Sequence, residues 1–323
     1  MAVETTIFSN NSVDTWFRDI MSDCVLCPRA CHVNRLAGQT GYCGQTAELM
    51  AARASLHYWE EPCISGTSGS GTVFFSGCNL RCVFCQNHNI ALGKAGRVIV
   101  PEHLAEIFLQ LQEQRANNIN LVTPTHFLPQ IVIALEQAKQ QGLHLPIVYN
   151  TGSYESPEAL RHLEGLVDIY LPDLKYFSPE LSTAYSHAPD YFEAACAAIA
   201  EMYRQVGNPV INEDTGLMQR GLIVRHLLLP GQTKDSKKIL RYLHETYGDH
   251  IYISIMNQYT PLPQCREYPE LSRRVTEAEY DAVVDYAIEL GIENGFIQEG
   301  DVAEESFIPE FDGEGIVRKD EDR

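Results

Sequence analysis

The sequence predicts an α/β protein built on parallel strands, and three observations carry this. From residue 72 onward, short β-rich runs alternate with helix-length segments of helical periodicity. Six such strand–helix units can be counted. Most of the β-rich runs are apolar throughout, as strands covered on both faces must be. Strands that alternate with helices join parallel neighbours through right-handed crossovers. Six units fall short of the eight of a closed barrel. Alternation alone therefore leaves an incomplete barrel and an open doubly wound sheet both standing.

The elements follow in order. Thr72–Ser76 (TVFFS) reads as the first strand. Pro101 opens a helix to about Arg115, with Leu104, Ile107, Phe108 and Leu111 at helical spacing. Asn120–Thr123 is the second strand and Phe127–Gln140 the second helix, whose Pro129 suits a first turn. Pro146–Asn150 is the third strand, and Ser156-Pro157-Glu158 caps the helix after it. Val167–Leu171 is the fourth strand, followed by a helix over Asp190–Gln205. Leu222–Leu229 is the fifth, and Pro230-Gly231 leads into a helix near Lys234–Tyr247. Ile251–Met256 is the sixth, with a helix over Thr276–Leu290. Residues 1–71 differ, being rich in cysteine and poor in strands. They end in SGTSGSG, which lacks the GK[ST] and following helix of a phosphate cradle and reads as the entry to the first strand.

With 323 residues, 45% of them hydrophobic, the chain can bury a substantial core. No apolar run approaches a membrane span, and the opening MAVETTIFSNNSVDTWF lacks the pattern of a secretory signal. A cytoplasmic location is the expectation. Ten cysteines then point to metal ligation or redox chemistry rather than disulfides, and eight of them fall between Cys24 and Cys85. The net charge of −19 would repel a phosphate backbone, so nucleic acid is disfavoured as a partner.

The segment "SGCNLRCVFCQN" holds Cys78, Cys82 and Cys85 in one short loop at the carboxyl end of a strand. A [4Fe–4S] cube has four irons, so three thiolates leave one iron open to another ligand. Gly77 permits a tight turn into the loop. The pattern Cys-x3-Cys-x2-Cys, with Phe84 just before the third cysteine, resembles the signature of the radical S-adenosylmethionine (radical SAM) superfamily. The resemblance implies a partial (β/α)6 barrel, with a cysteine-rich N-terminal extension over 1–62, the barrel domain over 63–300 and a C-terminal tail over 301–323. It implies a [4Fe–4S] cluster on Cys78, Cys82 and Cys85, with S-adenosylmethionine chelating the open iron. Reductive cleavage of the cofactor then yields a 5′-deoxyadenosyl radical that abstracts hydrogen. Within the superfamily the chain is similar to pyruvate formate-lyase activating enzymes, in a branch with an extra N-terminal cysteine motif. That likeness implies an oxidoreductase that activates a glycyl-radical enzyme through a peptide segment of it, supplied with electrons by a flavodoxin- or ferredoxin-type donor. It maps cofactor-binding roles onto Phe84, Asn150, Thr151, Arg225, and the Asp-x-Lys pair Asp173 and Lys175.

One departure stands out. Where the family carries a Gly-Gly-Glu segment that meets the cofactor's amine, this chain reads "VTPTHFLP", leaving Thr123, Thr125 and His126 as polar contacts and no carboxylate. His126 also suits an acid/base role or a structural one. Upstream, Cys24, Cys27, Cys31 and Cys43 form a second four-thiolate set suited to zinc or to a further [4Fe–4S] cluster. Cys63 is either a substitute ligand or a buried thiol. The competing functional class is a non-catalytic iron–sulfur or zinc module for electron transfer. The Asp-x-Lys pair and Arg225 favour catalysis, because an electron carrier needs no cofactor-binding groups.

Overall fold

The computed structural model describes residues 11–298 and 310–317. Among them, ten strands form one mixed sheet. In chain order these are β1 (Leu49–His57), β2 (Ser70–Phe75), β3 (Arg97–Ile99), β4 (Ile119–Val122) and β5 (Ile147–Thr151). They continue with β6 (Ile169–Pro172), β7 (Val210–Ile211), β8 (Met218–Leu227), β9 (Tyr252–Met256) and β10 (Gly295–Ile297). The sheet order is β10-β9-β8-β6-β5-β4-β2-β1-β3, with β7 paired to β8. Every pairing from β2 to β10 along this path is parallel. The six predicted strands are β2, β4, β5, β6, β8 and β9, with ends displaced by at most four residues. Because each lies beside the next in chain order, there is no reversal of the kind that defines a doubly wound sheet. The winding is that of a partial barrel. Among the described residues it does not close, and β10 and β3 are its edges.

Alternate strand residues face opposite ways, and the two faces have different partners. Tyr149, Tyr170, Leu222 and Val224 join the main core with helix residues such as Leu104, Ile131, Ile199 and Leu240. The other face carries Val148, Ile169, Leu171 and Ile223, which close on Cys63 and Ile64 of the one-turn helix Pro62–Ser65. That helix plugs the concave side of the sheet. Full burial of Ile64 contributes about 1.5–3 kcal/mol to holding it there. Cys63 is thus a core thiol, raised to about 12 by burial and by Glu61, and lines neither cysteine cavity described below.

The predicted long helices are present as Pro101–Glu113, Leu128–Gln140, Tyr191–Val206, Thr233–Tyr247 and Glu277–Leu290. Thr276 lies outside the last of these as its N-cap, in a reciprocal capping box with Glu279. Ser156 does cap a helix, but one of a single turn, Pro157–Leu160. Helices Asn11–Ser22 and Pro179–Ser186 were not expected.

The region expected to be poor in strands contains β1, nine residues long and antiparallel to β2. Of the expected tail, residues 301–309 and 318–323 lie outside the described residues. Residues 310–317 are docked rather than free. Ala54 N donates to Glu314 O at 2.8 Å, Gly313 N to Ala52 O at 3.1 Å, and Ile316 is buried. No described helix is long and apolar enough to cross a membrane.

Candidate functional site

Strand β2 ends at Phe75, and the chain turns through Gly77 at φ +92°, a conformation that favours glycine. The loop then holds Cys78, Cys82 and Cys85 half-buried on the wall of a cavity of about 640 Å3. Two hydrogen bonds already reach these sulfurs: Leu80 N to Cys78 Sγ at 3.3 Å, and Ser186 Oγ to Cys82 Sγ at 3.0 Å. Burial, then the neighbouring thiols, push Cys78 and Cys85 up, so three thiolates there require a compensating cation. An iron–sulfur cluster supplies one, and the donor set fits it. Phe84 is buried, lines the same cavity and lies edge-on to Tyr176, Tyr185 and Tyr259.

The opposite wall comes from strand ends. Asn150 and Thr151 finish β5, Asp173 and Lys175 follow β6, and Arg225 sits on β8; all five line the cavity. Arg225 is the hub. Its Nε donates to Asp173 Oδ1 at 2.8 Å, Nη2 to Asn150 Oδ1 at 2.6 Å, and Nη1 to Glu60 Oε2 at 3.0 Å. Lys175 Nζ donates to Asp173 Oδ2 at 2.5 Å. Burial alone would raise the Asp173 carboxyl, but Arg225 and Lys175 outweigh it and hold the group below its ordinary value. Burial would likewise lower Lys175, yet Asp173 and Cys82 raise it, so the ammonium persists. The structure therefore brings together every residue of the predicted cofactor and three-cysteine sets.

Sequence reasoning missed Glu60 and Glu61, which reach the same cavity from the segment before the plug helix. Glu60 Oε1 accepts from Asn120 Nδ2 at 3.1 Å and Asn150 Nδ2 at 3.3 Å. Burial raises Glu60 further than Arg225 lowers it. Its signal in "YWEEP" is only an acidic pair beside an aromatic, without periodicity. Of the residues standing in for Gly-Gly-Glu, Thr123 lines the cavity, in a left-handed conformation at φ +56°. Thr125 and His126 do not, which corrects the expectation of cofactor contacts from them. Thr125 Oγ1 donates to Glu155 Oε1 at 2.6 Å, and His126 is buried and held neutral, near 3, by burial and by Arg35. Buried outside that cavity, with Nε2 bonded to Ser76 O at 2.7 Å, His126 has the position of a structural residue.

The four upstream cysteines line a second, small cavity with Arg29, Arg35, Gly41 and His126. A Cβ on Gly41 would lie 2.7 Å from Cys31 Sγ, so only glycine fits beside that sulfur. Burial pushes Cys27 up to about 12. Arg29 ties this region to the first loop, donating from Nε to Asn79 O and from Nη2 to Ser186 O, each at 2.9 Å. Arg35, 1% exposed, donates from Nη1 to His126 O at 2.6 Å. Among the described residues, no three His, Cys, Asp or Glu side chains are gathered as for one metal ion.

Comparison with known proteins adds to this geometry. A family model described as the Radical SAM superfamily matches residues 72–243. The chain is 28% identical over 281 residues to an uncharacterized protein of Methanocaldococcus jannaschii, covering 84% of this chain and 75% of that one. Among solved structures it is similar to Streptococcus suis SuiB bound to precursor peptide SuiA, at 13% identity and a TM-score of 0.46. That match covers 69% of this chain and 46% of SuiB, less than half the neighbour's length. A domain of pyruvate-formate lyase-activating enzyme from Bacteroides vulgatus matches at 13% identity and a TM-score of 0.41, covering 57% of this chain and all of the domain.

Proposed function

The chain belongs to the radical SAM superfamily, and we propose that it cleaves S-adenosylmethionine reductively in the cavity between the three-cysteine loop and Arg225. In this superfamily a [4Fe–4S] cluster and the cofactor together supply a 5′-deoxyadenosyl radical for hydrogen abstraction. The observation that supports this reading is the shared wall: Cys78, Cys82 and Cys85 face the same space as Asn150, Thr151, Asp173, Lys175 and Arg225. The three sulfurs would hold the cluster. Phe84 lines the same space and offers an apolar face to the cofactor, and the charged set offers donors and acceptors to its polar parts. An electron carrier needs no such wall. The volume, about 640 Å3, lies within the range of small-molecule sites.

We further propose that the hydrogen donor is a peptide segment of a partner protein, and that a flavodoxin- or ferredoxin-type donor would supply this chain's cluster with the electron. The unclosed sheet supports this, as do Trp59 and Ile297, which line the cavity while 62% and 50% exposed. A cofactor-sized ligand would leave such a rim for a second molecule to cover.

The test is anaerobic reconstitution with iron and sulfide, reduction, and measurement of 5′-deoxyadenosine. Alanine at Cys78, Cys82 or Cys85 is expected to bring product to background. Undiminished product in those variants refutes the assignment. Deuterium passing from a labelled partner protein into 5′-deoxyadenosine would identify the peptide donor.

A further inference from the structure

Strands β10 and β3 are the edges of the sheet, and only β10 borders the large cavity. Gly295, Phe296 and Ile297 all line it, as does Gln298 just after them. Ile253 N donates to Asn294 O at 3.0 Å, and Ile253 is paired with Gly295. The bonds to β9 therefore run through Asn294 and Phe296, on either side of Gly295. Backbone groups of successive strand residues point to opposite edges, so those of Gly295 and Ile297 face away from β9. Among the described residues nothing bonds to them. Both residues are exposed, Ile297 by 50%. Edge strands are usually guarded by charged side chains, proline or a covering segment. The other edge carries Arg97, whereas Gly295, Phe296 and Ile297 hold neither charge nor proline. The strand is also pinned in place. Gln298 N donates to Tyr280 OH at 2.8 Å and Asn257 N to Gln298 Oε1 at 2.7 Å, while Phe296 stacks on Tyr252.

We propose that β10 is the docking edge for the substrate, an extended peptide segment that joins the sheet as a further strand. The proposal rests on the reading that the hydrogen donor is a peptide. Two outward N–H groups and two outward C=O groups at strand spacing are complementary to the main chain of such a segment. A strand seated about 4.7–4.9 Å beyond β10 would lie beside the cavity that Cys78, Cys82 and Cys85 also line. Its main chain would supply affinity, and its alternate side chains would supply specificity. The net charge of −19 favours a segment with basic residues.

The experiment uses the full reconstituted chain and two probes. One is acetyl-Lys-Val-Gly-Val-Lys amide, and the other is the same peptide N-methylated at its central Val-Gly-Val. Binding is titrated for both, and hydrogen–deuterium exchange is read residue by residue by mass spectrometry. The first peptide is expected to slow exchange at Gly295 and Ile297 severalfold, with little change at Phe296, which β9 already holds. N-methylation should weaken binding by at least about tenfold, as for the loss of one or two main-chain bonds. Ile297→Pro removes an outward donor and no bond to β9, so it should weaken binding by a similar factor. The exchange and N-methylation measurements stand even where that variant fails to fold. Protection elsewhere, or equal binding of both peptides, overturns the edge assignment and leaves a peptide substrate in place. Protection of Gly295 and Ile297 before any peptide is added also overturns it, because the edge is then already covered. Its dependence on protein concentration tells a second copy from the chain itself. Binding of neither peptide at millimolar concentration overturns the edge as well, and deuterium transfer from a partner protein then decides the peptide reading alone.

Discussion

Replacing Arg225 with Met removes one cation from between two buried carboxylates while keeping an unbranched chain in its place. The Arg225 side chain is 13% exposed, that of Asp173 14% and that of Glu60 10%, so water cannot take over the lost contacts. Asp173 retains Lys175, but among the described residues no cation other than Arg225 lies within ion-pair distance of Glu60. Breaking a buried pair by deleting one partner costs about 3–5 kcal/mol, mostly the uncompensated charge. Burial already raises Glu60 above 4.5, and without Arg225 it rises further. A carboxyl raised in the folded state contributes stability that is complete below its unfolded value and disappears as pH rises through the folded one. The deficit of Arg225→Met should therefore be smallest near pH 5 and largest at pH 8. Urea denaturation of anaerobically purified protein, followed by circular dichroism at both pH values, measures it. Adding Glu60→Gln should recover part of the loss at pH 8, because the stranded charge is gone. A deficit below about 1 kcal/mol at pH 8, or one equal at both pH values, refutes this account of the wall. It also follows that Arg225 variants alone cannot isolate cofactor affinity.

Two further outcomes are expected. In Gly77→Ala the new Cβ meets Gln45 Cγ at 2.5 Å, and the residue keeps φ near +92°, so iron and sulfide per chain should fall severalfold. Adding Gln45→Ala should relieve the contact but not the backbone strain, and loading that stays at wild-type level in the single variant contradicts this. Burial raises the Glu155 carboxyl from 4.5 to about 7 against the hydrogen bonds of Thr125, Thr151 and Tyr149. Its contribution to stability is complete below pH 4.5 and is lost as pH rises through about 7. Glu155→Gln should flatten the denaturation profile between pH 5 and 8, and an unchanged slope would count against a titrating Glu155.

The parallel strands were legible because TVFFS, PIVYN and IYISIM are apolar on both faces and bounded by helix-length periodicity. Strand β1 was not, since LMAARASLH is rich in Ala and Leu, which favour helices. Its pairing with β2 and β3 makes it a strand, and that is a tertiary effect. The three-cysteine loop and the Asp-x-Lys pair carry local spacing, so both could be found. Glu60 could not be read in this way, because its role exists only through Asn120, Asn150 and Arg225. The same holds for the direction of His126, which the position of Ser76 decides.

The bond between Glu60 and Arg225 spans 165 residues of chain. At about 5–20 residues per second, a ribosome needs roughly 10–30 seconds to deliver the second after the first. The cysteines from Cys24 to Cys85 emerge before Arg225, and Ser254 and Gln258 of the cavity wall come later still. Until those residues arrive, Cys78, Cys82 and Cys85 meet the cell without the wall that shelters them. Newborn chains thus offer oxidants and stray metals a head start over the finished fold, and this exposure is sharpest when translation stalls between residues 85 and 225.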